Sequence, residues 1–316
     1  MHDEEQQGIE HIAASAKPVI STQQELSLKN VGDAEKILEI RTPVDTVSLL
    51  ADTDVLMYGD IHTDYAIPDY LLAQVVAFKT AGVTSFGFEI NQNPRLQKIF
   101  DEINAGNIDR ASEVDWSFGF GNPTVRQTKQ QLVTELVKAG IRVYPFASWG
   151  KDMETEGKPY AKESEEEAAE IISQQTTDGK TVVLVGGQHA EYNDNRKVWR
   201  FPHTADCVKS LGKRVKSIAI AGGMNNPMGY SRDPKELIRR AARKSNSGPA
   251  TIIDTTQQKI EGFHNDGILV LPEVPFLAAN QPIPPERMPV GKFTPLDNVR
   301  PAGAEQAVRA VISSAK

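Results

Sequence analysis

The sequence is poor in several features that would each point to a particular class of protein. It contains one cysteine, Cys207, among 316 residues, which excludes an intramolecular disulfide and a zinc site built from paired cysteines. No apolar run approaches the roughly 20 residues that are needed to span a bilayer. The net charge of −7 argues against a general nucleic-acid or anionic-membrane binder, because such proteins present basic surfaces.

The remaining composition is that of an ordinary globular protein, with 39% hydrophobic and 24% charged residues. The length allows one large α/β domain, or one domain with additions. The first residues, MHDEEQQGIEHIAAS, are acidic and polar, and they lack the basic and apolar regions of a conventional signal peptide. The sequence therefore predicts a cytoplasmic protein, or one that is exported without a conventional signal peptide.

Apolar runs of strand length alternate with helix-forming segments through the middle of the chain. The strands are predicted at 55–60, 85–90, 141–146 and 181–185, and the segments between them carry apolar residues at helical spacing. This alternation predicts an α/β fold with a mostly parallel central sheet flanked by helices. We expect an N-terminal extension at 1–44, the α/β domain at 45–275, and an irregular, proline-rich C-terminal tail at 276–316.

Two of the predicted strands end in the same motif. The run VLMYGDIH ends at His62 and the run TVVLVGGQH ends at His189, so each finishes in Gly-x-x-His. Between them, SFGFEI places Glu89 at the end of a third strand. Buried parallel strands read as continuous apolar runs, and ligands bind beyond their carboxyl ends. We therefore expect Asp60, His62, Glu89 and His189 to meet at one edge of the sheet.

Each of these residue types suits acid–base chemistry. Asp60 and His62 share a face in extended geometry, and a carboxylate beside an imidazole fixes its tautomer and raises its basicity. Glu89 ends a strand that is predicted to be buried, where a carboxylate is either paired or part of a functional crevice. The alternatives are that His62 and His189 are ordinary loop histidines, and that Glu89 forms a salt bridge with Arg95.

Basic residues that could stabilise developing negative charge are harder to identify. Arg126, Lys151 and Lys162 are candidates, and nothing in their local sequence favours one of them. Trp116 and Tyr192 are candidates for the wall of a pocket, and the alternative for them is packing in an aromatic loop.

The order of these motifs resembles the erythromycin esterase/ChaN/TIKI superfamily. Its members typically show a strand into Gly-Glu-x-His, a helix, a strand ending in Glu, and a later strand ending in Gly-x-x-His. GDIH at 59–62, FE at 88–89 and GGQH at 186–189 match this order. The spacing is most similar to that of the Ras/Rap1-specific endopeptidase and the Pasteurella toxin C-terminal domains. Two departures stand out: Asp60 replaces the usual Glu, and KESE at 162–165 replaces a segment that often carries an Arg.

The resemblance implies a hydrolase, a peptidase or an esterase, that attacks an amide or ester carbonyl with water. Its substrate would be a peptide, a protein or a small ester or amide. Either Glu89 or Asp60 would activate the water, with His62 or His189 as the proton-transfer partner. Alternatively, a divalent metal ion held by His62, Glu89 and His189 would activate the water. The sequence is compatible both with such a metal and with a site that has no cofactor.

Two other classes of function stay open at this point. The first is a haem-binding or metal-chelate-binding protein without catalysis, like the ChaN members of the superfamily. Tyr192, His62 and the aromatic segment from Trp116 to Phe120 would then bind the cofactor. The second is a non-catalytic interaction domain, which the shorter Asp60 and the missing Arg both favour.

Overall fold

The computed structural model describes residues 25–60, 62, 64–116, 123–147, 162–193, 202–224, 234–244 and 249–274. The predicted tail at 276–316, Phe120 and Lys151 lie outside the described residues.

The described strands and helices alternate along most of the chain. The strands are β1 (Thr42–Pro43), β2 (Val55–Asp60), β3 (Val83–Asn91), β4 (Arg142–Ala147), β5 (Lys180–Gly186), β6 (Val215–Met224), β7 (Thr251–Asp254) and β8 (Gly267–Val274). The helices are α1 (Val31–Leu38), α2 (Thr46–Leu50), α3 (Ala66–Ala73), α4 (Val75–Thr80), α5 (Pro94–Asn104), α6 (Pro123–Lys138), α7 (Lys162–Gln174), α8 (Gly187–Ala190), α9 (Thr204–Ser210) and α10 (Pro234–Lys244), with a 3-10 helix at Ile108–Glu113. Within the described ranges, no helix is long and apolar enough to cross a membrane.

These strands form one sheet in the order β1-β7-β8-β6-β2-β5-β3-β4. The six strands from β8 to β4 are parallel to their neighbours, whereas β7 runs antiparallel to β8 and β1 runs antiparallel to β7. The prediction of an α/β fold with a mostly parallel sheet is therefore confirmed. In the sheet, β5 lies between β2 and β3. The two Gly-x-x-His motifs are at the ends of β2 and β5, and Glu89 is near the end of β3, so all three features belong to neighbouring strands.

Helices cover both faces of the sheet, which explains why the central strands are apolar throughout. Leu56 and Tyr58 of β2 pack into a core with side chains of α3, α4, α5 and α6. Val55 and Met57 point to the opposite face and pack with side chains of α7 and α9. With both faces buried in this way, the edge beyond the strand ends is the place where polar side chains can gather.

Helix α1 belongs to the fold, although the sequence placed it in an N-terminal extension. Ala34, Ile37 and Leu38 are buried in one cluster with Leu237 of α10, and β1 pairs with β7. The partners of α1 and β1 lie about 200 residues further along the chain, so nothing local in the sequence reveals them. The segment 31–43 therefore packs on the α/β domain.

Replacing Ile37 by Ala tests this packing. Ile37 is buried between α1 and α10, so we expect a loss of about 2–5 kcal/mol in the free energy of unfolding, measured by urea denaturation. The control is Ile40→Ala, since Ile40 is 45% exposed and should change the free energy by about 0.5 kcal/mol or less. A small loss in both variants would show that α1 does not pack on the domain.

Candidate active site

The four residues predicted from the strand ends meet at one edge of the sheet. Asp60 is the last residue of β2, where it pairs with Gly186 at the end of β5. His62 follows β2, His189 lies in the short helix α8 directly after β5, and Glu89 lies near the end of β3. The structure therefore brings together all four side chains that the sequence proposed.

Glu89 lies between the two imidazole rings. Its Oε2 atom is 3.8 Å from Nε2 of His62, and its Oε1 atom is 3.8 Å from Nε2 of His189. The backbone N–H of Gly186 also donates a hydrogen bond to Glu89 Oε2. The Glu89 carboxylate is 94% buried, so this amide hydrogen bond and the two polar ring edges replace part of the water it loses.

Each imidazole has a second carboxylate on its other nitrogen. His62 Nδ1 is 3.2 Å from Asp60 Oδ2, and His189 Nδ1 is 2.6 Å from Glu165 Oε1. A carboxylate accepts a hydrogen bond, so both Nδ1 atoms carry the proton and both Nε2 atoms face Glu89. The site thus consists of two carboxylate–imidazole pairs that share one central carboxylate.

Glu165 also raises the pKa of His189. Burial of the ring opposes this by disfavouring the charged imidazolium, but the hydrogen bond to Glu165 and the charges of Glu89 and Glu165 outweigh it. His189 therefore keeps its proton to a higher pH than an ordinary imidazole. The Thr204 hydroxyl donates a hydrogen bond to the other oxygen of Glu165, which holds that carboxylate in place.

Asp60 is buried beside the ammonium group of Lys129. Nζ of Lys129 is 3.0 Å from Asp60 Oδ2, and both side chains are less than 5% exposed. Burial raises the pKa of Asp60, but the charge of Lys129 and the hydrogen bond from His62 outweigh this, so the pKa of Asp60 is lowered. Asp60 is therefore an anion at neutral pH.

A glycine lies where the carboxylate and the two rings converge. A Cβ atom on Gly186 would lie 3.2 Å from Glu89 Oε2 and 3.3 Å from both His62 Nε2 and His189 Cδ2. Any side chain there would push the three groups apart. The Gly186 position of the second Gly-x-x-His motif is therefore explained by the close approach of Glu89 to the two rings.

Lys129 and Glu165 were not predicted as site residues. Each lies on the buried face of a helix: Lys129 comes three residues before Leu132 in α6, and Glu165 comes three before Ala168 and seven before Ile172 in α7. A charged residue in an apolar stripe was the available signal, because such residues are almost never buried without a partner.

The sequence suggested three basic residues, of which the structure describes two. Lys162 is exposed and pairs with Glu166, with 3.2 Å between Nζ and Oε1. Arg126 lies in α6 one turn before Lys129, and Lys151 is outside the described residues. Lys129, by contrast, contacts a predicted site residue, Asp60.

Trp116 and Tyr192 have structural partners. Trp116 is buried against Phe88, and its indole N–H donates a 2.7 Å hydrogen bond to the carbonyl of Ala111. The Tyr192 hydroxyl is 2.6 Å from Asp266 Oδ2, and burial together with the Asp266 charge raises the pKa of Tyr192 well above its usual value. Neither contact presents the side chain to a cofactor, and haem binding stays a prediction.

The residues proposed as metal ligands are of a suitable type, since imidazole nitrogen and carboxylate oxygen both bind Zn²⁺. Within the described parts of the chain, however, no three His, Cys, Asp or Glu side chains form a group that could hold a metal ion. His62 and His189 each direct Nε2 at an oxygen of Glu89. A metal held by these three residues stays a prediction.

Comparisons with known proteins support the fold and leave the activity open. No family model matches the sequence, and no curated protein matches it. Similar solved structures include the type III effector HopBA1, at 14% identity and a TM-score of 0.44, over 72% of this chain and 90% of that one. A Bacillus cereus protein matches at 12% identity and a TM-score of 0.50, over 78% of this chain and 98% of that one. A structure titled "Bacterial protein toxins" matches at 16% identity and a TM-score of 0.42, over 61% of this chain and 40% of that one. At such identities, the Bacillus cereus protein shows a shared fold alone.

The pairing of His189 with Glu165 gives a prediction for NMR titration. We expect His189 to titrate above the ordinary value of 6.5 and Glu165→Gln to lower its pKa, because the hydrogen bond would lose its charge. The matched control is Glu166→Gln, the next residue on α7, which pairs with Lys162 on the exposed face. An unchanged His189 titration in Glu165→Gln would contradict the pairing.

The same pairing predicts how stability depends on pH. A raised pKa in the folded state means that His189 stabilises the protein fully below about pH 6.5, and that this contribution is lost as the pH rises through the higher folded value. The difference in unfolding free energy between the wild type and Glu165→Gln should therefore decrease across that range. Urea unfolding at several pH values measures it, and a difference that grows with pH would contradict the pairing.

Proposed function

We propose that this chain is a hydrolase that cleaves an amide or ester bond with water. The observation that carries the proposal is the placement of a buried carboxylate, Glu89, between two imidazole nitrogens at 3.8 Å each. Two further carboxylates orient the rings, so the three reacting groups are preorganised. The resemblance of GDIH, FE and GGQH to the erythromycin esterase/ChaN/TIKI superfamily supports the same function.

Glu89 is the proposed general base. A water molecule beside its carboxylate would donate one hydrogen to Glu89 and the other to Nε2 of His62, whose proton is on Nδ1. His62 is the more exposed ring, at 26% of its side chain against 7% for His189, so a substrate would approach from the side of His62. The water oxygen then attacks the carbonyl carbon as its proton passes to Glu89.

His189 is the proposed general acid. Its raised pKa favours the imidazolium form, in which Nε2 carries the proton that His189 would give to the leaving nitrogen or oxygen as the bond to the carbonyl carbon breaks. Glu89 then holds the proton taken from water, and His189 lacks one. Transfer of that proton from Glu89 to Nε2 of His189, through a bridging water or after the 3.8 Å gap between them closes, restores both groups, so the cycle needs no further reactant.

The shorter acid in the first motif is compatible with this mechanism. Asp60 stands where the superfamily usually has Glu, yet its carboxylate reaches His62 Nδ1 at 3.2 Å. In this mechanism Asp60 orients His62, and Glu89 contacts the water. The shorter side chain of Asp60 therefore affects how His62 is held, and the proposed base, Glu89, keeps its full length.

The proposal predicts a large effect of removing the Glu89 charge. Glu89→Gln should lower the hydrolysis of p-nitrophenyl butyrate or fluorescein-labelled casein by about 10²–10⁴-fold, because the amide cannot take a proton from water. Glu135→Gln is the control, since Glu135 is exposed and pairs with Lys138 on the surface of α6. A folded Glu89→Gln variant with wild-type rates would contradict the proposal, as would a wild-type protein that cleaves neither substrate.

A second prediction separates direct catalysis by Glu89 from catalysis through a metal ion. Dialysis against EDTA, followed by metal analysis of the protein, should leave the rate unchanged, because the two rings and Glu89 face one another. Loss of activity on dialysis and its recovery with Zn²⁺ would assign His62, Glu89 and His189 as ligands of a catalytic metal instead.

A further inference from the structure

Lys129 is an unusual residue for the interior of this fold. Its side chain is 4% exposed, and it lies among the buried apolar residues of α6, such as Val125 and Leu132. A buried ammonium group is costly unless an anion and hydrogen bonds compensate it. Asp60 supplies such an anion to Lys129. It lies 69 residues earlier in the chain, at the edge of the sheet where the site is.

One oxygen atom links Lys129 to the site. Asp60 Oδ2 is 3.0 Å from Lys129 Nζ and 3.2 Å from His62 Nδ1. The ammonium group therefore fixes the position of the atom that orients the imidazole. A continuous series of contacts runs from Lys129 through Asp60 and His62 to Glu89.

A substrate has no room to reach Lys129 from the side of α6. The cavity at this point has a volume of about 10 Å³, and its lining residues are Asp60, Phe88, Glu89, Ile90, Trp116, Lys129 and Leu184. That volume is close to the minimum for a single water molecule. Asp60 Oδ1, which is buried and has no hydrogen-bond partner among the described residues, is available to such a water. The direct contact between Lys129 and the site is its ion pair with Asp60.

We propose that Lys129 is a positioning residue for the reaction. It holds Asp60 so that this carboxylate keeps His62 in the Nδ1–H tautomer, with Nε2 directed at Glu89. The inference rests on the proposed function to the extent that His62 takes part in turnover. The structural part of it, the control of the His62 tautomer, does not require turnover.

Three variants test this role: Lys129→Met, Asp60→Asn and the double variant. Lys129→Met should lower kcat on p-nitrophenyl butyrate by roughly 10- to 100-fold and change KM little, as is typical when a supporting partner is lost. The double variant should be no slower than Asp60→Asn alone, because Lys129 acts through Asp60. Lys138→Met is the control, since Lys138 is on the same helix and 64% exposed.

The second readout is the ¹⁵N NMR spectrum of the His62 ring, which reports the tautomer without a substrate. The wild type and Lys138→Met should show the Nδ1–H form, and Lys129→Met should show a mixture of the two forms. Should Lys129→Met fail to fold, the double variant, which buries no unpaired charge, replaces it and is compared with Asp60→Asn.

Two results would overturn the role of Lys129. One is a folded Lys129→Met with the wild-type His62 tautomer and kcat. The other is a double variant whose kcat is below that of Asp60→Asn by the same factor by which Lys129→Met lowers the wild-type kcat. Failure of the hydrolase proposal looks different: the wild type would then cleave no substrate, while the change of tautomer in Lys129→Met would still be seen.

Discussion

The placement of one buried carboxylate between two imidazoles is the interaction on which the rest of the site depends. Glu89 lies at the edge of the sheet with a ring nitrogen 3.8 Å from each of its oxygens and the Gly186 amide bonded to one of them. An isolated carboxylate could not stay charged at this depth. The paired rings, the bare glycine and the carboxylates behind the rings together surround Glu89 with the polar partners that a buried carboxyl group needs.

Acidic and basic side chains alternate through the site and into the helices on both sides of the sheet. Lys129 of α6 lies beside Asp60 on one side, and Glu165 of α7 lies beside His189 on the other. Each buried carboxylate thus has a cation or a ring N–H next to it, which is how a low-dielectric interior tolerates several ionisable groups. The two helices do more than cover the sheet: α7 supplies the carboxylate beside His189, and α6 supplies the ammonium group beside Asp60, the carboxylate that contacts His62.

The sequence was sufficient to predict the strand-end residues but not their supporting partners. Buried parallel strands leave an apolar run that ends abruptly, so Asp60, Glu89 and the two histidine motifs could be read directly from the chain. The position of β5 between β2 and β3, the packing of α1 on α10, and the roles of Lys129 and Glu165 all depend on contacts between distant segments. The charged residue within an apolar helix face was the remaining local signal, and it identifies a buried charge without naming its partner.

Convergence of the two rings on Glu89 is tested most directly by a double-mutant cycle between His62 and His189. Asn replaces each ring, singly and together, and kcat/KM is measured for all four proteins. If both rings serve the same carboxylate, the double variant will be about as slow as the slower single variant. Losses that multiply would show that the two histidines act independently, and the shared site around Glu89 would be contradicted.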